Sequence, residues 1–266
     1  MVFFKTPAEV ELMRECNTLV CETHALIAKE LKPGVTGKEL DRLAESFIRD
    51  HQAEPGFKGY QNFPATLCIS PNEQVVHGIP NDNPFKEGDV ISFDCGVLKN
   101  GFYGDAAFTF LLGDVDPAAV KLCKVTRESL NLGIQAARVG NKVGDISYAI
   151  QNYAERLHGY GVVRELVGHG VGRNLHEPPE VPNFGRRGKG QRLKEGMVLA
   201  IEPMVNLGTR RIKYHKDGWT VTTKDRKVSA HYEHSVHITR RGPDILSNHD
   251  IIDQAIKKND YIMQVG

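Results

Sequence analysis

The chain carries the same passage twice. Phe85-Lys-Glu-Gly-Asp-Val-Ile-Ser-Phe-Asp94 and Leu193-Lys-Glu-Gly-Met-Val-Leu-Ala-Ile-Glu202 share a Lys-Glu-Gly turn, an apolar run and a terminal carboxylate. Upstream, Leu40, Leu43, Ala44, Phe47 and Ile48 correspond at nearly the same offset to Ile146, Ala149, Ile150, Tyr153 and Ala154. The two halves, about residues 1–112 and 113–266, therefore read as copies of one unit within a single domain. If the copies pack about an approximate two-fold axis, equivalent strand ends meet near it, and Asp94 and Glu202 face one cleft. Two acids in one cleft need a cation between them. A metal site is thus predicted from the repeat alone.

Composition narrows the setting. With 266 residues, 40% of them hydrophobic, the chain can build one large core or two fused halves, but not several independent domains. A formal net charge of +1 gives no bulk electrostatic argument for binding DNA or an anionic membrane. Cysteines 16, 21, 68, 95 and 123 form no CxxC pair, and an odd number cannot all be bridged, so reduced thiols are expected. No basic segment followed by an apolar stretch opens the chain, and no apolar run approaches the roughly 18–20 residues that span a bilayer. A cytoplasmic protein is expected, and nothing demands more than a monomer.

Each half begins with a helix pair. Thr6-Pro7 with Glu9 opens a first helix that ends at Pro33-Gly34, and Thr36 with Glu39 caps a second whose apolar face stops before Pro55-Gly56. Asp116-Pro117 opens a third, to about Ala137, and a fourth runs from Gly144 towards Gly159. Strands follow at 90–97 and 102–110, joined by Lys99-Asn100-Gly101 as a hairpin. A turn centred on Asn100-Gly101 pairs Asp94 with Ala107; a bulge near Gly104 is needed to set Asp94 against Asp105. Further strands are expected at 198–205, 219–222 and 229–238, in a sheet shared by both copies.

Two segments carry chemistry. Gly168-His169-Gly170-Val171-Gly172-Arg173-Asn174-Leu175-His176-Glu177-Pro178-Pro179 is too glycine-rich for a regular helix, so its histidines sit on a special backbone path. In His231-Tyr232-Glu233-His234-Ser235-Val236-His237, strand alternation puts Glu233 on the face of His231, Ser235 and His237. Asp94, Asp105, Glu202 and Glu233 with His169 make four carboxylates and one imidazole. That charge matches two divalent cations, and the donor set suits manganese, iron, cobalt or zinc better than a thiolate zinc site.

These residues resemble type I methionine aminopeptidase. The resemblance rests on His77-Gly78-Ile79-Pro80, the Asp94 to Asp105 hairpin, the 168–179 segment, Ile201-Glu202-Pro203-Met204, and Lys216-Asp-Gly-Trp-Thr through Tyr232-Glu233-His234, in order over essentially the whole chain. It implies an α/β pita-bread fold, a pseudo-two-fold antiparallel sheet covered by two pairs of helices. It implies that Asp94 chelates one metal, that Asp105 and Glu233 bridge two, and that His169 and Glu202 complete the other. Glu202 would relay a proton, His176 would help stabilise the tetrahedral oxyanion, and His77 would contact the substrate backbone. Tyr60, Phe63, Cys68 and Trp219 would wall an apolar pocket for the N-terminal methionine of peptides and nascent chains, with small second residues favoured.

Two positions depart from the family pattern: His231 stands where members commonly carry glutamine, and Leu175 where many carry phenylalanine. The chain starts close to its first helix and has no long insertion, like the short bacterial form. Basic clusters at Arg186-Arg187 with Lys189 and at Arg210-Arg211 with Lys213 suggest transient ribosome contact. The rivals are a proline-directed peptidase of the same fold, a catalytically silent binding module, and a metal-free nucleophilic hydrolase, for which no GxSxG elbow is present.

Overall fold

The computed structural model describes residues 2–265. Helix α1 (Pro7–Glu30) starts at a capping box in which Thr6 and Glu9 satisfy each other's backbone N–H groups, and α2 (Gly37–Asp50) repeats the device with Thr36 and Glu39. Helices α3 (Pro117–Ala136) and α4 (Val143–Gln151) follow in the second half, and a single π-helical turn at Asn152–Leu157 extends α4. Leu40, Ala44 and Ile48 of α2 are buried, as are their counterparts Ile146, Ile150 and Ala154. The apolar spacing thus marks equivalent core-facing stripes.

The repeat extends to individual hydrogen bonds. Phe85 N donates to Val35 O and Gly34 N to Phe85 O; Leu193 N donates to Asn141 O and Gly140 N to Leu193 O. In each Lys-Glu-Gly turn the glycine takes a positive φ, 91° at Gly88 and 86° at Gly196, a region where a Cβ is strained. The two copies therefore enter their central strands through the same turn.

Beyond the turns the sheets differ. In the first half, strands Val90–Lys99 and Phe102–Leu112 form an unbroken antiparallel hairpin, with Leu67–Pro71 along the other edge. Strand Ile262–Met263, from the end of the chain, pairs with Leu111 and Leu112 on its far side. Gly104 lets α1 lie directly on the hairpin, since a Cβ there would come within 2.7 Å of Cys16 and Asn17 backbone atoms. In the second half, the expected strand 198–205 is two, Val198–Ile201 and Met204–Asn206, and 229–238 is likewise Ser229–His231 and His234–Thr239. The outer pieces join one five-stranded antiparallel sheet and the inner pieces another ladder of three.

The expected single shared sheet is therefore divided into separate curled ladders, and the breaks fall at Glu202-Pro203 and Tyr232-Glu233. Proline cannot donate to a ladder, which accounts for the first. At the second, Glu233 N leaves its own strand and donates to Ala107 O of the first-half hairpin, 3.0 Å away. One apolar core spans both halves, from Leu40 and Phe93 to Ile146 and Val236.

Candidate metal centre and substrate cavity

Asp94 and Asp105 come from the hairpin. Its register pairs Asp94 with Ala107 and Gly96 with Asp105, without a bulge near Gly104, so that expectation is corrected. None is needed. Alternation puts Asp94, Ala107 and Asp105 on one face, and the two acids meet as diagonal neighbours. Asn17 of α1 accepts from Asp105 N at 3.2 Å.

Glu202 and Glu233 come from the two strand breaks, so the alternation expected through 229–238 stops at Tyr232. His169 stands in the short strand Gly168–Gly170, paired with Ala200 two residues before Glu202. Its Nδ1 donates to Gly170 O at 2.8 Å, which leaves the Nε2 lone pair facing the acids. That Nε2 is 3.5 Å from Glu202 Oε1 and 3.8 Å from Asp105 Oδ2. One ligating atom each from Asp105, His169 and Glu233 lie within 4.8 Å of one another.

All five residues line one cavity of about 300 Å³, together with Tyr60, Phe63, Cys68, His77, His176 and Trp219. The structure thus brings every sequence-predicted site residue to one place. Phe63 and Trp219 meet edge to face with centroids 5.0 Å apart, and Cys68 lies opposite Asp94 in the neighbouring strand. His77 stands at a positive φ of 59°, a conformation uncommon outside glycine that turns its ring towards Trp219, 6.2 Å away. Tyr60 Oη and His176 Nδ1 are 2.7 Å apart, so a hydroxyl proton donated there leaves the proton of a neutral His176 ring on Nε2. Phe57, Leu166 and Met204 also line the cavity. Met204 lies inside a motif already noted, whereas Phe57 and Leu166 carry no local signal of a site.

Among the described residues, no lysine or arginine lines this cavity. Burial pushes the Asp94 carboxyl up to about 7, with Glu202 adding to the rise and His231 opposing it, and burial pushes Glu202 up to about 8. Burial and then the neighbouring carboxylates hold Asp105 and Glu233 well above the usual range. Burial keeps the imidazoles neutral: His169 is lowered to about 3, His77 to about 4, and His176 is lowered too. Asp94 Oδ1, Asp105 Oδ1 and Glu233 Oε1 are buried with no hydrogen-bond partner among the described residues. Unpartnered buried carboxylate oxygens around a neutral imidazole are the donor set a divalent cation satisfies.

Fold and site together define a metal-dependent hydrolase. The profile of Metallopeptidase family M24 matches residues 11–240. The methionine aminopeptidase of Clostridium perfringens is 53% identical over 93% of this chain and 99% of its own, and methionine aminopeptidase 1 of Bacillus subtilis is 50% identical over the same shares. The crystal structure of methionine aminopeptidase from Rickettsia prowazekii matches with a TM-score of 0.91 and 42% identity, covering 93% of this chain and 100% of that one. The chain belongs to metallopeptidase family M24, among the type I methionine aminopeptidases. The prolidase of Pyrococcus horikoshii shares the fold, with a TM-score of 0.72 at 19% identity, and the match covers 64% of that chain. The pita-bread architecture expected from the sequence is the one found.

Proposed function

We propose that the protein removes the initiator methionine from nascent chains in the cytoplasm, favouring a small second residue, and that its two halves act as one catalytic unit. One observation carries this reading: four acids and an imidazole share a cavity with an apolar slot walled by Phe63, Cys68 and Trp219. A thioether side chain packs well against aromatic rings and a thiol. The substrate's scissile carbonyl then lies beside the acids.

Asp94, Asp105, His169, Glu202 and Glu233 would hold two divalent cations, drawn from cobalt, manganese, iron and zinc. Bound there, the cations supply Lewis-acid polarisation and acidify water near neutral pH. The other work falls to side chains. The slot orients the methionine and excludes water from its side chain. His77 contacts the substrate backbone near the cleaved bond, and His176, held by Tyr60, donates from Nε2 to the developing oxyanion. Glu202 accepts the proton of the attacking water on its carboxylate and passes it to the leaving amine. The exposed clusters Arg186-Arg187-Lys189 and Arg210-Arg211-Lys213 supply a salt-sensitive contact with the ribosome for an otherwise monomeric enzyme.

The test offers the purified protein Met-Ala-Ser and Ala-Pro peptides with manganese, iron or cobalt. Methionine release supports the reading. Cleavage only before proline favours the proline-directed rival, and no turnover with any metal favours a binding module. Ribosome binding that weakens with salt and with charge reversal of the basic clusters supports the contact, and no binding at low salt removes it.

A further inference from the structure

Beyond His169, a second imidazole reaches Glu202. His231 ends strand Ser229–His231 and is 1% exposed. Its backbone is clamped by Thr109, with His231 N donating to Thr109 Oγ1 at 3.0 Å and Thr109 Oγ1 donating to His231 O at 2.7 Å. Across the ladder it faces Met204, two residues after Glu202. His231 Nε2 is buried, has no hydrogen-bond partner among the described residues, and lies 3.6 Å from Glu202 Oε2. On the other side His169 Nε2 lies 3.5 Å from Oε1. The Glu202 carboxylate is bracketed by one imidazole on each oxygen.

The two rings are not equivalent. His169 Nδ1 donates to a carbonyl, so its Nε2 is a lone pair suited to ligation. His231 Nε2 faces a carboxylate oxygen, and a proton on Nε2 is the one that oxygen can accept. We propose that His231 is a positioning residue for Glu202: its neutral ring donates from Nε2 to Glu202 Oε2 and so leaves Oε1 to the cation beside His169. The inference rests on the metal-centre reading above. A gap of 3.6 Å is too long for a hydrogen bond, but a shift of roughly 0.6 Å in a side chain between two strand ends closes it. An ionised carboxylate is the acceptor that most favours this closure. A glutamine amide offers an N–H of similar reach, and a thioether offers none.

The experiment measures manganese binding by calorimetry in the wild type, His231→Gln and His231→Met, with the thermal midpoint of each metal-free protein as a folding control. It also counts ligating imidazole nitrogens by pulsed EPR at less than one equivalent of manganese. His231→Gln should bind within threefold of the wild type, and His231→Met should bind about 10–100-fold more weakly. Every form should show one imidazole. Two imidazoles in the wild type and one in His231→Gln would make His231 a direct ligand and overturn the proposal. Equal affinity in His231→Met, or equal loss in His231→Gln, would also overturn it. Should His231→Met fail to fold, the nitrogen count and the affinity of His231→Gln still decide. If the wild type binds no manganese, the metal-centre reading falls with this one; if only the variants disobey, the metal-centre reading stands.

Discussion

The two halves each deliver two acids to one cavity, and they do so by different means. In the first half Asp94 and Asp105 project from an unbroken hairpin, where a short side chain suffices because the ladder itself brings diagonal neighbours together. In the second half Glu202 and Glu233 sit where strands stop and the chain passes between sheets. There the backbone stands differently and a carboxylate one methylene longer is used. Both halves enter through the same Lys-Glu-Gly turn. The entrance is therefore common to both halves, while the exit differs.

The largest test of this contrast is Asp105→Ala. It takes one acid from the continuous ladder, and Met-Ala-Ser turnover should fall by about three orders of magnitude with loss of bound metal. Retained turnover would refute the ligand assignment.

A second test concerns protons on the first-half acids. In the metal-free protein Asp94 is raised to about 7, against about 4 in an unfolded chain, so between these values the folded state binds more protons. Its contribution is fully present below pH ~4 and is lost as pH rises through about 7. Denaturant melts of chelator-treated protein should show this fall, on the order of 2–4 kcal/mol, as one part of a larger fall shared with Glu202, Asp105 and Glu233, and Asp94→Asn should remove that part alone. Bound metal displaces those protons, so affinity should rise with pH up to about 8, where Glu202 titrates. A pH-independent affinity would contradict the proton count.

Glu202→Asp asks whether the longer side chain matters at the broken strand. Retreat by one methylene should cost about 10–100-fold in kcat/KM, and an unchanged rate would show that the break does not set the reach. The smallest effects belong to the shared turn. Alanine at Gly88 or Gly196 should cost about 1–2 kcal/mol in denaturant stability. Gly196→Ala should be the worse, because its Cβ would stand 3.0 Å from Lys5 O, against 3.6 Å from Asp114 O at Gly88. The reverse order would show that the two turns carry unequal strain for another reason.

Much of this was legible in the residues. The duplicated turn, both capping boxes, the four helices and the existence of the hairpin follow from local signals: a capping residue three positions before an acid, a 3.6-residue period, and Asn-Gly at a turn. That Asp94 and Glu202 call for a partner was legible as well, because a carboxylate closing an apolar run is costly without one. The division of the sheet was not. Pro203 marks one break, but at Tyr232-Glu233 nothing local stops a strand; the break exists because Glu233 N finds Ala107 O in the other half.

The sequence by itself determined which groups could be buried and how each element begins, since both depend on neighbours a few positions away. Only the tertiary structure decided that Asp94 and Asp105 meet diagonally without a bulge, that Tyr60 Oη reaches His176 Nδ1, and that His231 stands against Glu202. Those contacts join residues far apart along the chain, and a shift of one ångström makes or breaks them, which is finer than residue type and spacing can specify.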